Sequence, residues 1–239
     1  MIKLELPPKP EKLTDELQNK LTEDFKRNKN ARVWDIKWLK DVLLEMSWGK
    51  CAFSETKLQE EGKYMQVEHF YPKSLYPNMV MEWGNLFPIS NICNRKKWDI
   101  DPNQFPLVNP VVDNPKDYFY ISNGRLFGRN KTDKAINTIN IYGLNDDKLR
   151  KPRYRIEQDI QSTLDLLALP QTDIARCIKG LKALMRNSSR IESYSATKST
   201  FILQSSIYQM LKLHLISESL WDSEFVSLEK ELEFCSLPK

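Results

Sequence analysis

The sequence predicts an α+β protein, mostly helical, in which a small strand–strand–helix unit is embedded between helices and followed by a helical C-terminal half. Three observations predict it. Only seven glycines occur in 239 residues, which suits long helices. Apolar residues recur every three or four positions near the N-terminus and again from 146 to 236, the spacing of a helix face. Strand runs and turn punctuation are confined to the region between.

In chain order, residues 1–10 carry Pro7, Pro8 and Pro10 and read as an extended arm. Thr14 ahead of Asp15 and Glu16 is an N-cap, and Leu13, Leu17, Leu21 and Phe25 line one face of the helix it starts. A second helix over 33–47 carries the stripe Val33, Ile36, Leu39, Val42, Leu43 and Met46, and Gly49 closes it. Tyr64 to Val67 form a short strand that ends at Glu68-His69. Tyr71-Pro72 and Tyr76-Pro77 make 70–82 a loop, because the residue before proline avoids helix. Residues 83–88 return as strand or loop, and 89–98 form a short helix bearing Cys93, Asn94 and Lys97. Four further X-Pro pairs keep 101–115 irregular. Asn123-Gly124, between YFYIS and RLFG, is a two-residue hairpin signal. A helix over 133–142 ends at Gly143, and amphipathic helices fill the remainder. The expected division is an N-terminal arm with two helices (1–48), a central unit (49–145) and a helical C-terminal region (146–239) that could dock a partner.

Composition narrows the function classes. Hydrophobic content of 41% supports a packed core, and 28% charge of mixed sign argues against wholesale disorder. No apolar run approaches the ~18–20 residues of a membrane span, and the start shows no apolar signal segment, so a soluble cytoplasmic protein is expected. Four scattered cysteines fit a reducing compartment. The net charge of +4 is uneven, with the excess of cations between 111 and 200. That bias points to a polyanion, although solvated helix faces produce such biases as well.

The chemistry concentrates in 51–98. His69, one of two histidines, follows Glu68, and Asn85 and Asn94 come next. Phosphodiester hydrolysis needs a base active near neutral pH, which histidine supplies. It needs a divalent ion to stabilise developing charge, and hard oxygen donors to hold that ion. Glu68 and Asn94 are donors of that type. Successive strand side chains point opposite ways, so Glu68 and His69 reach separate partners. His214, amid apolar neighbours, reads as a core or interface residue.

This set, EH at 68–69, NL at 85–86 and CNRKK at 93–97, with 16 residues from His69 to Asn85 and nine from Asn85 to Asn94, resembles the HNH endonuclease family and its ββα-metal fold. The flanking text is similar to the HNH subunit of Septu-type and retron-associated anti-phage systems, the PtuB group. The matching pieces are PPKPEKL, GKCAFSE, VEHFYPKS, EWGNL, LVNPVVDNP, TINIYGLN and KLRKPRYR, over roughly 1–155. The resemblance implies a ββα-metal (HNH) nuclease unit in 49–145 and a metal-dependent endonuclease. His69 would be its general base, Glu68 and Asn94 the ligands of one Mg²⁺ or Mn²⁺, and Asn85 the residue that orients His69 and the loop. Lys73, Arg95, Lys96 and Lys97 near the site, with Arg150 and Arg153 in the basic run, are the expected nucleic-acid contacts. Relatives pair CxxC before the histidine with CxxC before the asparagine, a four-cysteine zinc site. Here the pairs read Cys51-x-x-Ser54 and Ser90-x-x-Cys93, and two thiols with two hydroxyls are poor zinc ligands. No structural zinc is expected.

The resemblance further implies a DNA-cutting effector of bacterial anti-phage defence, held by a PtuA-like ATPase and, in the retron-associated branch, accompanied by a reverse transcriptase with its RNA and DNA. The alternatives are an RNase acting on transfer RNA, and a non-catalytic nucleic-acid-binding or scaffold subunit.

Overall fold

A computed structural model describes residues 1–60 and 64–238. It is α+β and mostly helical, as the sequence predicts, with two short two-stranded sheets among the described residues. The N-terminal arm is not a free tail. Met1, Ile2 and Leu4 are buried, the Leu4 amide donates to the Pro110 carbonyl at 2.9 Å, and the Trp83 indole donates to the Pro7 carbonyl at 2.8 Å. Helix α1 (Asp15–Arg27) is capped by Thr14, whose hydroxyl accepts from the Leu17 amide at 3.1 Å. It buries Phe25, with Leu13 just ahead of the cap. Helix α2 (Lys37–Met46) starts later than the apolar stripe suggested. It ends where Gly49, at φ 70°, returns its amide to the Leu44 carbonyl at 2.7 Å.

Strand β1 (Met65–His69) pairs antiparallel with β2 (Leu86–Ser90), His69 opposite Leu86 and Glu68 opposite Phe87. Helix α3 (Asn91–Lys97) follows at once, capped by Ser90, and packs on both strands. An isolated two-stranded sheet is marginal in water. This one is held by an aromatic layer in which Phe53 stacks on Tyr142 (centroids 3.8 Å apart) and meets Phe87 edge-on at 6.0 Å. Fully burying such rings contributes on the order of 1.5–3 kcal/mol each.

A short helix, α4 (Pro115–Tyr118), leads into the hairpin of β3 (Phe119–Ser122) and β4 (Arg125–Gly128), turned at Asn123-Gly124 with both residues at positive φ. Helix α5 (Asp133–Ile141) follows, and then the long α6 (Asp147–Leu167). At Gly124 a Cβ would stand 2.7 Å from the Tyr154 amide and 2.8 Å from the Arg150 carbonyl, so only glycine lets the hairpin touch α6. Helices α7 (Ile174–Arg186), α8 (Ser195–Gln204), α9 (Ser206–Ser217) and α10 (Ser223–Cys235) complete the chain.

Two apolar clusters result. One gathers the arm, α1, α2, the β1–β2–α3 unit and the β3–β4 hairpin with α5. The other gathers α6 from Ile160 onward with α7–α10. They are stitched by a buried polar node. Glu55 accepts from the Met1 ammonium (2.5 Å), the Ser195 hydroxyl (2.5 Å) and the Ala196 amide (3.1 Å), and Lys50 Nζ donates to the Arg190 and Glu192 carbonyls. The C-terminal chain crosses back as well, placing Cys235 and Leu237 in the first cluster. His214 is exposed on α9 rather than buried.

Candidate active site

The β1–β2–α3 unit brings three of the four predicted site residues to one cavity of about 370 Å³, which His69, Glu68 and Asn94 line with Gln66, Trp34, Lys73, Arg95 and others. Strand alternation separates the pair Glu68-His69 as expected. Gln66 and Glu68 face α3, where Asn94 Nδ2 donates to Gln66 Oε1 at 2.8 Å and Lys97 Nζ lies 2.8 Å from Glu68 Oε1. His69 turns the other way, edge-on to Trp34 with centroids 4.7 Å apart.

His69 is built to stay neutral. Nε2 lies 3.0 Å from the Val80 carbonyl, which can only accept, so the ring proton sits on Nε2 and Nδ1 carries the lone pair. Burial, reinforced by the Lys73 and Lys97 cations, pushes its pKa down to about 3 against the weaker pull of the Val80 carbonyl. At neutral pH the imidazole is therefore unprotonated, with its tautomer fixed by Val80.

Asn85 is buried and makes no contact with the ring; of the two roles expected for it, holding the loop and orienting His69, its hydrogen bonds serve the loop. Its Oδ1 accepts from the Tyr71 amide at 2.7 Å, and its Nδ2 donates to the Tyr71 (3.1 Å) and Met79 (3.0 Å) carbonyls. It ties down the loop whose next residue, Val80, holds the histidine. The reason is reach: a short amide on a turn after the loop finds loop backbone before it finds the strand end.

Glu68 is buried, and burial pushes its pKa up to about 7 even though Lys97 pulls the other way. Its Oε1 makes no aligned hydrogen bond, so the contact with Lys97 is a close ion pair. Glu68 and Asn94 line the same cavity and carry hard oxygen donors of the type a cation such as Mg²⁺ takes, with Lys97 already held against Glu68 Oε1. That ion takes one or two protein carboxylates and completes its shell from substrate phosphate and water. Among the described residues no cluster of three or more His, Cys, Asp or Glu side chains forms a ready cage.

Cys51, Ser54, Ser90 and Cys93 do meet. Burial raises the Cys51 thiol's pKa, but hydrogen bonds from Cys93 and Ser54 outweigh it and bring the value down to about 5, while Cys93 is pushed up. The hydroxyls are already engaged, Ser90 in capping α3 and Ser54 with Thr56 at 3.0 Å. This donor set does not fit tetrahedral zinc.

No protein-family model matches the chain. It is 36% identical over 245 residues to the Septu protein PtuB of Bacillus thuringiensis, a match that covers 98% of this chain and 94% of that protein. The chain belongs to the Septu PtuB family.

In this PtuB-family chain the expected nucleic-acid contacts divide. Lys73 lines the cavity, its Nζ 5.1 Å from the Trp34 ring centroid, and Arg95 and Lys96 are exposed on α3. Arg150 is half-exposed and pairs with Asp147 at 3.2 Å. Two expectations are overturned. Lys97 is 1% exposed and spends its protons on the His69 (2.7 Å) and Phe70 (2.9 Å) carbonyls, so it locks β1 to α3 instead of meeting phosphate. Arg153 is 2% exposed, donates to the Gly124 (2.8 Å) and Leu144 carbonyls, and sits beside Glu157, which receives the Gly124 amide. Helical periodicity explains both. Lys97 lies three residues after Asn94 and Arg153 four before Glu157, on the inward faces of their helices. Gln66 was missed, although strand alternation from Glu68 puts it on the same face. Val80 and Trp34 were not legible, because each reaches His69 only through tertiary folding. No helix of the described chain is long and apolar enough to cross a membrane.

Proposed function

We propose that this chain is the HNH-type nuclease effector of a Septu anti-phage system. Its membership in the Septu PtuB family supports the defence role and a PtuA partner, and the site supports the chemistry. The observation that carries the reading is His69. A neutral imidazole with its proton pinned on Nε2 by Val80 keeps Nδ1 as its accepting nitrogen, and the ring lines a cavity together with Glu68 and Asn94.

His69 Nδ1 takes the proton of a water as that water attacks the phosphate. Trp34 and the Val80 carbonyl hold the ring in place. Glu68 and Asn94 would hold one Mg²⁺ or Mn²⁺, which when bound stabilises charge on the phosphate and the leaving oxygen. Gln66 orients the Asn94 amide by accepting its N–H, which turns Oδ1 away from that bond. Lys73 and Arg95 at the rim attract the strand, a contribution that weakens with salt.

The test is cleavage of labelled plasmid and of total transfer RNA by wild type and His69→Ala, with and without Mg²⁺ and the PtuA partner. Loss of ~10²–10⁴-fold in rate is expected for His69→Ala. Unchanged cleavage and unchanged defence would remove the catalytic reading. For the partner surface, α9 offers Met210 (52% exposed), Leu213 (66%) and Ile216 (47%) at helical spacing, an apolar stripe left exposed among the described residues. Met210→Glu with Leu213→Glu should abolish co-purification with PtuA while leaving the thermal midpoint unchanged, and intact co-purification would exclude this stripe as the dock.

A further inference from the structure

Three cavities surround α3 and share walls. The catalytic cavity adjoins one of about 280 Å³ through Arg95, and that one adjoins a third of about 490 Å³ through Ile92 and Lys148. The third cavity also touches the catalytic one directly through Gln66, which lines both. It lies between the start of β1, the N-terminus of α3, the first turns of α6 and the residue that opens α8.

Its walls have the character of a site for a flat, partly polar molecule. Tyr64 stands at the mouth 80% exposed, an aromatic ring with its burial still to gain. Tyr194, also in the wall, is in the left-handed region at φ 53°, a costly place for a bulky residue, and it is held there by its amide donating to the Glu55 carbonyl at 3.2 Å. Leu149 and Ile92 supply apolar floor. Pro152 lacks an N–H, so the Lys148 carbonyl loses its usual donor within α6 and remains an acceptor beside the cavity. Asn91 and Gln66 add amide edges, and Lys148 adds an exposed cation. The volume lies in the range of small-ligand sites, roughly 300–1,000 Å³.

We propose that this third cavity receives one unpaired nucleobase of the strand whose phosphate lies at His69. The proposal rests on the nuclease reading and adds to it that the substrate is gripped by a base out of the stack. A nucleobase is the occupant that these walls favour for two reasons. It is planar, with hydrogen-bonding edges that suit two tyrosine rings and amide groups. It is also tethered to phosphates, and the middle cavity that joins this one to the catalytic one is lined by the cations Arg95, Lys96 and Lys148, with Asp146 paired to Lys96. Gln66 connects the two events, because the base would rest on the side chain that orients Asn94.

The experiment measures binding in EDTA, where no divalent ion is free, of fluorescein-labelled single-stranded 12-mers. One carries all its bases and the other is an abasic backbone of equal length; DNA and RNA versions are both used. Wild type should prefer the base-bearing strand by roughly tenfold. Tyr64→Ala removes a ring from a largely exposed position, and Asn91→Trp fills the cavity from the exposed first residue of α3. Each should erase most of the preference and leave affinity for the abasic backbone unchanged. Preference that survives both variants, or is absent in wild type while both strands bind, overturns the base pocket and leaves the nucleic-acid reading standing. Failure of wild type to bind either strand at low salt overturns the nucleic-acid reading and the pocket with it.

Discussion

Asn85→Ala tests whether His69 is held at one remove. The substitution deletes three hydrogen bonds to loop backbone, at 2.7, 3.1 and 3.0 Å. A neutral hydrogen bond is worth about 1 kcal/mol net, and more where a buried partner is orphaned. Tyr71 and Met79 are half-buried, so water replaces part of the loss. The expected destabilisation is about 2–4 kcal/mol, a fall of roughly 5–12 °C in thermal midpoint for a chain of this size. The second effect is local. With Met79 untied, the Val80 carbonyl drifts and the Nε2–H tautomer loses its anchor. A misplacement of about 1 Å at a catalytic group costs ~10²-fold in rate, so kcat should fall by about that factor with KM little changed. Nitrogen-detected NMR of the His69 ring reads the tautomer independently of activity and should show Nε2–H giving way to a mixture. A lowered midpoint with an unchanged tautomer and unchanged kcat would refute the chain Asn85–Met79–Val80–His69, leaving Asn85 a fold residue only.

Lys97→Met should destabilise by about 3–5 kcal/mol, because it leaves Glu68 buried without its cation and orphans two carbonyls. Glu68 already titrates near 7 instead of 4.5, so its contribution to stability falls as pH rises through that window. Removing Lys97 lifts it further, and melts should show a larger loss at pH 8 than at pH 5.5; equal losses would refute the pairing. Glu55→Gln probes the polar node between the two apolar clusters. Burial opposes its ionisation, but the Met1 ammonium and Lys50 hold the carboxyl down at about 2, so the stabilisation is fully present above pH 4.5 and is lost as pH falls toward 2. The gap between wild type and Glu55→Gln should reach about 3 kcal/mol at neutral pH and close in acid denaturation series near pH 2, whereas a gap independent of pH would refute the assignment.

Much of the fold was legible because its signals are local. Thr14 and Ser90 cap helices through their own hydroxyls, and Asn123-Gly124 turns β3 into β4 with both residues at positive φ. The order Glu68, His69, Asn85, Asn94 was likewise set by the sequence, since a strand end, a turn and a first helical turn are short-range events. Tertiary structure alone decided what those side chains do. Lys97 and Arg153 read as surface cations in a basic run, yet helix phase and packing turned them inward onto carbonyls. A carbonyl eleven residues from His69 became the group that fixes its tautomer, on a loop that Asn85 ties down. The proline-rich arm carried no sign that Met1 would pair with Glu55, fifty-four residues away. Hydrogen bonds between distant segments depend on which surfaces the core brings together, and periodicity along the chain does not encode that.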